Sequence, residues 1–75
     1  MFAVEDLSRK LGLRISYYRR LKSMSQEELA EHIDCSVGYL AQLEAPACNK
    51  LPSLRLLYTI AEKMEITVSE LLDFK

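Results

Sequence analysis

The sequence predicts an all-α fold of five short helices around one core, and three observations point there. Only two glycines and two prolines occur in 75 residues, too few for a turn-rich β fold. Apolar residues recur at spacings of three and four, the period of one helix face. A serine or threonine stands at the head of four of the apolar segments, where a cap is expected. The hydrophobic share, 49%, suffices for one compact core and excludes a disordered tail. The length predicts a single domain spanning 1–75, with a thin stability margin because so short a chain buries only about 60% of its unfolded surface.

Each helix has its own signal. The first is expected over Glu5 to Lys22, with Leu7, Leu11, Ile15 and Tyr18 on one face. Gly12 marks either close packing or a break, the second option leaving a shorter helix from near Lys10. Ser25-Gln-Glu-Glu28 is a capping box, serine first and glutamate three residues later. It opens a second helix to Ile33, with Leu29, Ala30 and Ile33 inward. Asp34 is the residue of the following turn that best tolerates a left-handed backbone. Ser36 caps a third helix, Val37 to Glu44, so the second and third form a helix-turn-helix. A loop from Ala45 to Pro52 follows. Ser53 caps a fourth helix to Met64, with Leu54, Leu57, Tyr58, Ala61 and Met64 expected inward. A second capping box, Thr67-Val-Ser-Glu70, opens a last short helix with Leu71 and Leu72.

Charge and cysteine content narrow the function classes. Net charge is −1, but residues 1–25 carry six basic side chains against Glu5 and Asp6, a net of +4, leaving −5 for the remainder. A domain polarised in this way can present one positive face. Arg14, Arg20 and Lys22 are expected to be solvated and to act by long-range steering. Cys35 and Cys48 form no C-x-x-C pair, and His32 is the one histidine, so no metal and no cofactor are expected. Cys35 is expected to be a core thiol and Cys48 a loop thiol, both reduced in a cytoplasmic protein. The N-terminus has no signal-peptide pattern, and no apolar run approaches the 18 or so residues of a membrane span. No nucleophile–base set, glycine-rich phosphate loop or pair of acids suggests an enzyme.

On a helical wheel, Leu40 and Leu43 fall together toward the core. The opposite face carries Gly38, Ala41 and Gln42, flanked by Val37 and Tyr39. A face of small residues with one amide can approach another surface closely. The major groove of DNA is such a surface, and so is a protein partner.

A set of motifs in order and spacing separates these options. Leu11-Gly-x-x-Ile15, Arg19, Ser25-Gln-Glu-Glu-Leu-Ala30, Ser36, Leu40 and Leu43-Glu44 are followed by Pro52-Ser-Leu54, Ile60-Ala61 and Ile66-Thr-x-x-Glu-Leu-Leu72. From Leu11 to Leu72 the chain resembles the lambda-repressor and Cro-like (XRE-type) helix-turn-helix family. The resemblance implies a transcriptional regulator of the repressor type, bound as a homodimer to double-stranded operator DNA. Gln26 matches the family's amide on a backbone phosphate. Ser36, Val37, Gly38 and Gln42 match positions that contact bases. Ser25, Tyr39, Ala41 and Lys50 complete the expected DNA-binding surface. Arg19 and Glu44 match a partly buried structural ion pair. Val37 and Gly38 stand where many relatives have polar readers, leaving methyl contact and the Gln42 amide, which suits an adenine edge. The alternative function is a protein–protein interaction module that keeps the fold and binds through the apolar helix 3 face.

Overall fold

Hydroxyl caps set the starts of four helices. Ser25, Ser36, Ser53 and Thr67 all have extended backbone, and each accepts a hydrogen bond from the N–H three residues on. These bonds satisfy N–H groups that a helix start leaves without intrahelical partners. The computed structural model describes residues 4–45 and 50–73, with side chains from Asp6 onward. Within them the chain forms α1 (Val4–Leu21), α2 (Gln26–His32), α3 (Val37–Glu44), α4 (Leu54–Lys63) and α5 (Val68–Leu71), with no strand among the described residues. The expected helix positions hold to within a residue or so. The expectation placed on Cys48 falls outside the described residues.

Three helices end in one way without glycine. Ser23, Asp34 and Glu65 have φ of 58°, 56° and 58°. After each, the next N–H reaches back five residues: Met24 to Arg19, Cys35 to Ala30 and Ile66 to Ala61, all at 3.0 Å. This is the Schellman arrangement, in which the residue after the left-handed one packs back on the helix. Met24, Cys35 and Ile66 accordingly rest against the core. Cys35 is thus half-buried rather than a full core residue, because its place is the core's edge. Its thiol donates to the Ser36 carbonyl at 3.4 Å. Burial first, and Asp34 second, push that thiol up from its ordinary value.

α1 runs unbroken through Gly12, so the glycine marks close packing and not a break. A Cβ there would run into the Leu43 carbonyl and come within 3.2 Å of Glu44 Cα. Glycine therefore lets the α1 and α3 backbones touch. Leu11 and Ile15 of α1 join Leu29 of α2, Ile33 at its C-terminal cap, Leu40 of α3 and Leu71 of α5 in one core.

The α4 stripe keeps the expected Leu57, Ala61 and Met64 inside but not Leu54 and Tyr58. Leu57, Ile60, Ala61 and Met64 are buried, whereas Leu54 is 76% and Tyr58 60% exposed. Leu72 is also exposed, at 41%. The apolar arc of the helix is broad, and packing into the shared core selects its Ile60 side.

Candidate nucleic-acid interface

The third helix is held at three places. Ser36 caps its start through Tyr39 N–H at 3.1 Å. Leu40 and Leu43, at 0% and 2% exposure, anchor its inner side. Its last residue, Glu44, is gripped by α1: Arg19 Nε donates to Oε2 at 2.9 Å and Nη2 to Oε1 at 3.0 Å. Only 10% of the arginine side chain and 5% of the glutamate's are exposed. A third donor of the same guanidinium, Nη1, reaches the Met24 carbonyl at 2.7 Å, tying the α1–α2 turn to the pair. Such a two-pronged pair fixes orientation as well as distance.

This frame leaves an uncharged outer face. Val37, Gly38 and Gln42 are exposed, Ser36 is exposed beside them, and Tyr39 and Ala41 are half-buried. Nothing lies within 4 Å of where a Gly38 Cβ would be, so the helix start is open to a closely approaching surface. Lys50, in the loop between α3 and α4, donates from Nζ to Gln42 Oε1 at 3.0 Å.

Gln26 begins α2 beside the exposed Ser25, and its Nε2 donates to Glu44 Oε1 at 3.2 Å. A carboxylate cannot donate, so the amide must turn its NH₂ toward Glu44. One N–H of that group remains for an acceptor outside. Neither this contact nor the Lys50–Gln42 contact has a signal in local spacing, since each joins residues on different elements.

The basic first third is partly tied down. Arg14 donates to the Glu70 carbonyl at 2.6 Å and to the Tyr18 hydroxyl at 3.2 Å, and it lies 5.2 Å from the Tyr18 ring centroid. It is a tether between α1 and α5, not the solvated charge expected, because the α1 face it occupies meets the last helix. Arg9 pairs with Asp6 at 3.3 Å. Arg20, Lys22 and His32 are exposed, as is Tyr17. Among the described residues no cluster of histidine, cysteine or acidic side chains could hold a metal ion, and no helix is long and apolar enough to cross a membrane.

A helix-turn-helix family model (HTH_3) matches residues 15–71. The chain belongs to that family, of the lambda-repressor and Cro type. It is 35% identical over 60 residues to an uncharacterized HTH-type transcriptional regulator, YazB, of Bacillus subtilis (strain 168), covering 80% of this chain and 84% of that relative. Among solved structures, the clp gene regulator ClgR from C. glutamicum superposes with a TM-score of 0.82 at 32% identity, over 88% of this chain and 82% of that one. SinR, a master regulator for biofilm formation solved in complex with DNA, gives 0.76 at 33% identity, over 84% and 98%. Family and relatives together support a DNA-binding transcription regulator. The second helix of the motif is α3.

Proposed function

We propose that this helix-turn-helix chain is a single DNA-binding domain that acts as a cytoplasmic transcriptional repressor, gripping a two-fold-symmetric operator as a homodimer. The observation that carries this is the outer face of α3. It is exposed, uncharged and open at Gly38, on a helix pinned from behind by Arg19–Glu44. In the proposed complex Val37 touches a thymine methyl, Gln42 reads a base edge, and the remaining Gln26 N–H holds a phosphate. Ser25, Ser36, Tyr39, Ala41 and Lys50 border the same surface.

The dimer would use the apolar side chains that α4 leaves outside. Leu54 and Tyr58, one turn apart, are 76% and 60% exposed. Leu51 and Leu72 line a shallow groove of about 190 Å³ with Leu7, Leu11, Pro52 and Leu57. Burying such a patch in a second copy removes apolar surface from water at roughly 25 cal/mol per Å².

Binding selection on random duplex DNA tests the whole proposal. A two-fold-symmetric enriched sequence is expected, together with a dimer in sedimentation that Tyr58→Asp dissociates. Selection that enriches nothing would overturn the proposal in favour of a protein partner on the α3 face.

A further inference from the structure

A second apolar stripe runs along α1. The inner side of this helix, with Leu11 and Ile15, is buried in the core. Leu13, Tyr17 and Leu21 recur every four residues on another side, and they are 56%, 55% and 61% exposed. A surface helix ordinarily keeps one apolar stripe and turns polar groups to water on the rest. At about 1.5 Å per residue the second stripe is about 12 Å long. With Ser16, Arg20 and Glu44 it lines a groove of about 650 Å³.

The groove has a braced centre. Tyr17 meets the Tyr18 ring edge to face, with centroids 5.0 Å apart. The Tyr18 hydroxyl accepts from Arg14, which also donates to the Glu70 carbonyl of α5. Tyr17 therefore leans on a side chain that is itself tied to the far end of the domain. An aromatic side chain held in one orientation loses little freedom on binding, and such residues anchor interfaces.

Charge selects the occupant. Glu44 is the one acid in the groove wall, and its oxygens already accept from Arg19 and Gln26. Arg20 is exposed and forms no ion pair with the described residues, so the rim is left positive. A second copy on this stripe would set two N-terminal thirds against each other, each with six basic residues against two acidic ones. Like charge opposes that contact. A partner helix with apolar residues three or four apart and carboxylates beside them covers the stripe and pairs with Arg20.

We propose that the α1 groove is a docking site for an acidic amphipathic helix of another protein, with Tyr17 as the anchor and Arg20 as the charge partner. This goes beyond the DNA-binding proposal and does not rest on it. Glu44 walls the groove and also holds Gln26, so the docked helix lies at the edge of the α2–α3 surface.

The test is display selection of a randomised library of helical peptides, about 16 residues or roughly 24 Å long, against the full chain. Enriched peptides should carry apolar residues three or four apart, flanked by aspartate or glutamate. Tyr17→Ser should weaken their binding about tenfold or more, and Arg20→Glu several-fold, with the larger loss at low salt. Tyr58→Asp should leave binding unchanged, and thermal melts confirm that each variant folds. A selection that enriches nothing would overturn the proposal. So would peptides that bind the Tyr17→Ser chain as well as the unaltered one, or peptides without acidic residues that tolerate Arg20→Glu. Sedimentation in which Tyr17→Ser, and not Tyr58→Asp, dissociates a dimer would also overturn it, since the groove would then be a contact between copies.

Discussion

The Arg19 guanidinium and the Glu44 carboxylate meet in parallel, at 2.9 and 3.0 Å, across the seam where Gly12 lets α1 touch α3. One oxygen of the same carboxylate also receives Gln26 at 3.2 Å. A single acidic side chain thus joins the first helix, the start of the second and the end of the third. The position of the outer α3 face relative to Gln26 depends on that junction.

Removing one member strands the other charge in a nearly buried place. Arg19→Met should cost about 3–5 kcal/mol, whereas the exposed Arg20→Met should lie within about 0.5 kcal/mol of the unaltered chain. Melting curves should separate the two by more than 10 °C, at about 4–8 °C per kcal/mol for a domain of this size. Equal melting temperatures would remove the pair from its structural role.

The two glycines should respond with opposite signs. Gly12→Ala drives a methyl into the Leu43 carbonyl and Glu44 Cα. It should destabilise by about 1–3 kcal/mol, since backbone must move. Gly38→Ala meets open space and should stabilise α3 by up to about 1 kcal/mol. On the proposed function, Gly38→Ala also weakens DNA binding, because the methyl faces the groove. Chemical denaturation of both variants checks the signs.

Much of this fold was legible because its punctuation is local. Ser25, Ser36, Ser53 and Thr67 mark helix starts by chemistry that acts within three residues, and Asp34 marks the turn by its tolerance of positive φ. The left-handed Ser23 and Glu65 gave no such signal, since serine and glutamate rarely stand there. Leu54 and Tyr58 of α4 were misplaced for a different reason. Leu54, Leu56, Leu57, Tyr58, Ile60 and Ala61 spread over about half of the helix circumference, opposite Arg55, Thr59, Glu62 and Lys63, so packing decides which part of that arc goes inside. The candidate site could be drawn from the sequence only as positions on α2 and α3, while the links from Gln26 to Glu44 and from Lys50 to Gln42 depend on tertiary approach.

Glu65 offers a way to stabilise the domain far from α3. Its φ of 58° costs a side-chain-bearing residue roughly 1–2 kcal/mol that glycine does not incur. Unfolded-state freedom returns part of that to the glycine variant. Glu65→Gly should raise stability by about 1 kcal/mol or less, with an unchanged helical circular dichroism spectrum. A fall in stability would show that the Glu65 side chain contributes more than its backbone costs.

The capping boxes set an acid limit. Glu28 and Glu70 each accept from a cap backbone N–H, at 2.9 and 3.0 Å. These bonds, followed by the cap side chains, hold both carboxyls below the ordinary glutamate value. Below that value the unfolded chain binds more protons than the fold, so stability rises with pH there. The contribution is complete above the ordinary glutamate range and is lost as pH falls through the lowered folded values. Glu28→Gln with Glu70→Gln should flatten the acid limb of a pH-stability curve. An unchanged acid limb would assign acid unfolding to other carboxylates.

The central claim is that α2 and α3 form a DNA-binding surface, and the salt dependence of binding to the selected duplex tests it most directly. A dimer contacting about six to ten phosphates should show a slope of log K against log salt near −5 to −9 between about 50 and 200 mM. Gln26→Ala should weaken binding to all sequences about equally, because a phosphate contact carries no base information. A steep slope with that uniform loss is the predicted result. A flat salt response, or no binding at about 50 mM salt, would contradict the account.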